Sequence, residues 1–271
     1  MSVHRTLHRK IMGLASALGP TNSAVKSWLK LSCQQQGCQL VTHPYVWSLK
    51  KDHQVIRFAP RHYAYIPYVA SRFDRYFDSL VPEVMGADSV LDFSHVRTDT
   101  YRKPGLTFES SACPEEADVL DSYLELYKPS RDHLAFDIGA RCGVSTYILS
   151  QLAGEVVAFE SDPLAIEILQ RNIERHDIRN VTLVKGIPKL ANAFSTWGIP
   201  SFCKISIEGD EPRYLTAAQK VLAECETHLA VRTTHEALGL CNQAKVEQIL
   251  QQCGFEVKSD ELLGTTSAWP A

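Results

Sequence analysis

Two carboxylates and a glycine turn are the residues of this chain best placed to do chemistry. Phe136-Asp137-Ile138-Gly139-Ala140-Arg141-Cys142-Gly143 closes a short apolar run and opens a helical pattern. Gly139 permits a tight turn and a close backbone approach, and Gly143 lets the helix start pack near the strand. Glu160 stands 23 residues beyond Asp137, at the end of the next apolar run. A carboxylate at a second strand tip can accept from both hydroxyls of a ribose. The turn reads Gly-Ala-Arg-Cys-Gly, not the GxGxxG of a pyrophosphate loop, and an acid precedes its first glycine by two positions. Coulomb attraction then favours a positively charged nucleoside over a pyrophosphate.

A third group, Lys204-Ile-Ser-Ile-Glu208-Gly-Asp-Glu211, ends the fourth such run, and His235 follows the fifth. Strand alternation turns Ile205 and Ile207 away and brings polar groups to the ligand's reactive end. Glu208 and His235 are candidates for holding or deprotonating an acceptor hydroxyl, work worth roughly 10²–10⁴ in rate, and Lys204 belongs to the same catalytic set. S-adenosylmethionine (SAM) carries an ammonium and a sulfonium and matches these charges. The expected cofactor contacts are Asp137, Gly139 and Gly143 at its methionine end and Glu160 at its ribose, with Ala140, Arg141 and Ser161 as further cofactor-binding residues.

The elements that must position these groups follow from residue 114 onward. Pro114-Glu115-Glu116 starts a helix as proline and acids in a first turn do. Strands are expected at Leu134–Asp137, Val156–Glu160, Val181–Val184, Phe202–Ile207, Leu229–Arg232 and Phe255–Val257. Between them run helices ending at Leu152, starting at the Asp162-Pro163 cap, and spanning about 211–224 and 242–253. Alternation of this kind builds βαβ units. The fold class is therefore α/β, a doubly wound Rossmann-like sheet, mostly parallel, with the tail Leu262–Trp269 as a final antiparallel strand. Residues 106–271 form this domain, and 1–105 a helical and mixed extension that is a candidate substrate cap. Within the extension, Val41–Phe58 is strand-like, and Phe73, Tyr76, Phe77 and Leu80 recur at helical spacing as a packing face or a pocket wall.

The net charge of −3 argues against a whole-protein nucleic-acid binder. The distribution is uneven: no acid precedes Asp52, while Arg5, Arg9, Lys10, Lys26, Lys30, Lys50 and Lys51 are basic. No stretch approaches the ~20 apolar residues of a membrane span, so a soluble, cytoplasmic protein is expected. The 8 cysteines form no CxxC pair and have no histidine at zinc-finger spacing, which predicts reduced thiols and no metal site.

Taken in order, these motifs resemble the FkbM family of SAM-dependent methyltransferases. The resemblance runs over about residues 90–258. It includes Leu91-Asp-Phe-Ser94, the Pro114 helix start, Asp137–Gly143, Val157–Pro163 with Asn172-Ile173, Lys204–Glu211, His235 and Gly254-Phe255. It implies O-methylation of a hydroxyl on a sugar, a polyketide or a related small molecule. Two departures stand out: Ser206 replaces the family's aspartate, and the stretch Lys185–Cys203 is short. A catalytically silent methyltransferase-like binding protein is the alternative the first departure raises. A nicotinamide-dependent oxidoreductase would need the GxGxxG that is absent.

Overall fold

The computed structural model describes residues 18–110, 122–235, 240–260 and 264–271. The Pro114 helix start, Cys113 and the basic residues Arg5, Arg9 and Lys10 lie outside the described residues. Two compact units are present, the first holding Met1–Ala117 and Glu236–Leu240 and the second Asp118–His235 and Cys241–Ala271.

In the first unit, α1 (Ser23–Gln35) is capped by Asn22, whose side chain accepts from the amides of Ala24 and Val25. Its buried residues Val25, Leu29 and Cys33 recur every fourth position and so form one stripe. Strands β1 (Gln39–Thr42), β2 (Trp47–Lys51) and β3 (Gln54–Phe58) follow as an antiparallel meander. The aromatic segment forms two helices, α2 (Ile66–Ser71) and α3 (Phe73–Ser79), broken at Arg72 where the backbone leaves the helical region. Phe73, Tyr76, Phe77 and Leu80 are all buried, so the stripe is a packing face. Then come β4 (Glu83–Met85) and β5 (Asp88–Phe93), which complete a five-stranded sheet in the order β1-β2-β3-β5-β4, with β3 and β5 parallel. A separate antiparallel ribbon pairs β6 (Arg97–Thr100) with β7 (Thr107–Ser110).

The second unit alternates strand and helix: β8 (Leu134–Ile138), α4 (Val144–Leu152), β9 (Glu155–Glu160), α5 (Pro163–Arg175), β10 (Val181–Lys185), α6 (Leu190–Trp197) and β11 (Phe202–Ile205). It continues through α7 (Glu211–Thr216), α8 (Gln219–Leu222), β12 (His228–Arg232), the two-residue strands β13 (Thr234–His235) and β14 (Leu240–Cys241), α9 (Gln243–Gln252), β15 (Phe255–Asp260) and β16 (Thr265–Pro270). The expected single helix over 211–224 is two short ones, Glu211–Thr216 and Gln219–Leu222. The seven-stranded sheet has the order β10-β9-β8-β11-β12-β16-β15. Its first five strands are parallel, and β16 runs antiparallel between β12 and β15. The doubly wound α/β fold is thus present, with its order reversing between β8 and β11.

Strand alternation sorts the core into two layers. Phe136, Ile138, Val157, Phe159, Cys203, Ile205, Leu229 and Val231 pack with Leu190, Leu215, Leu222 and Leu250 from the helices α6 to α9. Ala135, Val156, Phe202 and Ala230 face the other way, onto Leu149, Ala153 and Tyr123. Asp137, Glu160 and Lys204 share that second face by register, since Asp137 pairs with both Ala158 and Lys204. Burial of side chains like these stabilises by about 1.5–3 kcal/mol each before conformational entropy is counted. The layer is therefore a rigid support for the strand tips.

Candidate active site

Ligands of doubly wound sheets bind outside the carboxyl ends of the strands, where the order reverses. Here that place lies between the loops that follow β8 and β11. The loop after β8 turns through Gly139 (φ 77°), Arg141 (φ 48°) and Gly143 (φ 91°), all in the left-handed region. A Cβ at Gly139 would sit 1.9 Å from the carbonyl oxygen of Ser206, so the two loops touch through bare backbone. At Gly143 a Cβ would meet Leu169 Cδ1 at 2.3 Å, so the close neighbour there is helix α5 and not the strand that was expected.

Asp137 is fully buried, and its countercharge is internal. Lys204 Nζ lies 2.9 Å from Asp137 Oδ1 and donates at 2.7 Å to the carbonyl of Gly139. Ser145 and Thr146, in the first turn of α4, donate their hydroxyls to Asp137 Oδ2 at 2.7 and 2.6 Å. Asp137, expected at the cofactor's cation, and Lys204, expected at the acceptor, are thus paired with each other. With 0% and 1% of their side chains exposed, both groups lie under the loop and hold it in place. The anion that a helix start attracts is supplied to α4 by Asp137 itself. Ser145 and Thr146 carry no mark in the motif pattern. The one available sign is two adjacent hydroxyls in the first turn of the helix.

The amides of the turn are also spent internally. Gly139 and Ala140 both donate to the carbonyl of Phe159, at 2.9 and 3.1 Å, and Gly143 donates to Ala140 at 2.9 Å. Ala140 is expected at the cofactor, but its methyl is buried against Ala158 and Leu169, so it supports the loop from beneath. Glu160, at the tip of β9 and only 6% exposed, accepts from the amide of Arg141 at 2.7 Å through Oε2. Its Oε1 accepts from the amides of Ser161 and Asp162 at 2.7 and 2.9 Å. A carboxylate has about four acceptor positions; three are filled by backbone donors. Ser161 contributes its amide to this arrangement, and its side chain is exposed.

On the far side of the crevice, Glu208 also has a left-handed backbone (φ 56°), followed by Gly209 (φ 103°). The buried Glu211 pins this loop, its Oε1 accepting from the amides of Ile207 and Gly209 at 2.8 and 3.3 Å. Asn242 donates to the carbonyl of Gly209 at 2.8 Å, and Asn172 donates to that of Cys142 at 2.8 Å. Arg141 Nη2 reaches across to Glu208 Oε1 at 2.6 Å. The backbone of His235 lies in β13, just past the carboxyl end of β12. The role expected of its imidazole lies outside the described residues.

Other features of the unit stand apart from this crevice. A cavity of about 210 Å³ lies at the opposite, amino edge of the sheet, lined by residues including Tyr127, Phe202, His228 and Trp269. The cysteines Cys33, Cys38, Cys142, Cys203, Cys225, Cys241 and Cys253 are thiols. Burial, with Asp137 nearby, pushes the Cys203 thiol well above its ordinary range. Among the described residues, no helix is long and apolar enough to cross a membrane.

No family model matches the chain. It is similar to ribosomal protein L11 methyltransferase of Chloroflexus aurantiacus, with 28% identity over 96 residues, 35% of this chain and 29% of that protein. The chain thus spans under a third of the length of this curated relative. Among solved structures, precorrin-6y C5,15-methyltransferase from Geobacter metallireducens superimposes with a TM-score of 0.44 at 20% identity, over 57% of this chain and 87% of that one. Methyltransferase FkbM from Methylobacillus flagellatus gives a TM-score of 0.42 at 18% identity, over 54% and 45% of the two chains.

Proposed function

We propose that this protein is a SAM-dependent O-methyltransferase of the FkbM type, acting on a hydroxyl of a small molecule. One observation carries the reading. The amides of the turn at the strand-order reversal are donated within the protein, while Glu160 keeps an acceptor position beside the turn. A pyrophosphate would find the turn amides of residues 139, 140, 141 and 143 already donated. A cationic nucleoside needs none of them, which also weighs against the nicotinamide reading.

When bound, SAM supplies an activated methyl group on a sulfonium. In this reading Glu160 accepts from the ribose, and the turn 139–143 faces the amino-acid end. Glu208 lies on the acceptor side and would take the hydroxyl proton while the methyl group passes to the acceptor oxygen and its bond to sulfur breaks, leaving the thioether. His235 is assigned a share in that proton transfer by its backbone position. Alignment of two reactants can itself supply a large part of such an acceleration. Residues 1–105 are assigned acceptor selection, and the net charge of −3 supports a small acceptor over a nucleic acid.

Calorimetry with SAM and S-adenosylhomocysteine tests the binding half, and no heat at millimolar ligand would defeat it. Transfer of a labelled methyl group to a panel of sugars and polyketide alcohols, with transfer RNA as a further arm, tests the rest. A second reading, a silent binder, is favoured by Ser206, which leaves the tip of β11 without the family's carboxylate. Binding without turnover, together with turnover gained by Ser206→Asp, is its signature.

A further inference from the structure

The ion pair between Arg141 and Glu208 spans the place where the strand order reverses. Arg141 comes from the loop after β8 and Glu208 from the loop after β11, and these strands are neighbours of opposite winding. A ligand entering the crevice at the carboxyl edge has to meet this pair. Both residues hold left-handed backbone, at φ 48° and 56°, which side-chain-bearing residues rarely adopt. Both backbones are fixed from within, Arg141 by its amide on Glu160 and the Glu208 loop by Glu211. Any rearrangement here is therefore confined to the side chains.

The pair is also readily opened. Glu208 is 67% exposed and Arg141 29%, and an exposed ion pair contributes little net stability. Releasing the Glu208 carboxylate to water costs little desolvation. The planar guanidinium can receive another carboxylate through two parallel N–H bonds. The ligand assigned to this crevice carries one such group, the α-carboxylate of its amino-acid end.

We infer that Arg141 is an exchange site for the cofactor's α-carboxylate. The incoming carboxylate replaces Glu208 on the guanidinium, and the displaced Glu208 carboxylate is released toward the acceptor side. Base and cofactor then become available together. No bond other than hydrogen bonds is made or broken. The inference rests on the SAM reading above and adds the residue that recognises the amino-acid end.

The test uses calorimetry on the full chain with two ligands, S-adenosylhomocysteine and 5′-methylthioadenosine, which lacks the amino-acid end. Arg141→Met should weaken S-adenosylhomocysteine about tenfold or more, the scale of a charge-assisted hydrogen bond. It should leave methylthioadenosine within about twofold. Glu208→Gln removes the competitor and should tighten S-adenosylhomocysteine by about threefold, with methylthioadenosine unmoved. Equal losses for both ligands in Arg141→Met, or weaker S-adenosylhomocysteine binding in Glu208→Gln, overturn the exchange while leaving the cofactor reading intact. If the unaltered protein binds neither ligand, the cofactor reading falls and the exchange with it. Thermal melts of both variants verify the fold, which these partly exposed side chains do not support.

Discussion

Lys204 and Asp137 face one another across adjacent parallel strands, paired in register, with ammonium and carboxylate 2.9 Å apart and both side chains sealed from water. Removing one member of a buried pair strands the other charge, at a cost of about 3–5 kcal/mol. Lys204→Met should lose stability on that scale in urea unfolding. The double variant Asp137→Leu with Lys204→Met should lose clearly less than the sum of the two single changes. Simple additivity would mean that the two charges are not coupled.

Gly139 and Gly254 separate two costs of adding a methyl group. Both have positive φ, 77° and 87°, but only Gly139 faces a backbone atom, with Ser206 oxygen 1.9 Å from the added Cβ. Gly254→Ala should cost about 1 kcal/mol of backbone strain. Gly139→Ala should cost visibly more, because the whole loop after β8 or β11 has to shift. Equal midpoints in a denaturant titration would show that the contact is softer than the distance implies.

Glu160→Gln replaces an acceptor with a donor opposite the amides of Arg141, Ser161 or Asp162. Stability should fall by about 1–3 kcal/mol, and affinity for SAM by about 1.5–3 kcal/mol. A variant that unfolds more easily yet binds the nucleoside unchanged would confine Glu160 to holding the turn.

His228 starts β12 and stacks on Tyr127 with centroids 3.8 Å apart. Burial pulls its pKa below the ordinary value of 6.5, partly offset by a backbone hydrogen bond at Ser201. With the folded pKa lowered, the unfolded chain binds more protons as pH drops through about 6.5, so the folded state loses stability there. The contribution is fully present above that pH. His228→Phe keeps the stack and removes the proton, so the variant should hold its stability better than the parent between pH 7.5 and 5.5. Parallel pH profiles for the two proteins would remove His228 as the cause.

The alternation of strand and helix was readable because it depends on local periodicity, and every strand of the seven-stranded sheet overlaps its expected range, whereas the two-residue strands β13 and β14 were not foreseen. What could not be read is where a charge finds its partner. Asp137 and Lys204 lie 67 residues apart, and only the register of β8 with β11 brings them together. The turn itself was legible, but not the acceptors of its amides, among them the Phe159 carbonyl and the Glu160 carboxylate. The break at Arg72 was equally hidden, since aromatic periodicity runs straight through it.

The position of β16 bears on how the sheet is made. This strand is synthesised after β12 and β15 and inserted between them, antiparallel to both. Until residues 265–270 have left the ribosome, the edges of β12 and β15 that β16 covers have no neighbour and can recruit one from elsewhere. The sheet is thus stitched shut by its last thread, and a nascent chain stalled before Thr265 is exposed to pairing with other chains.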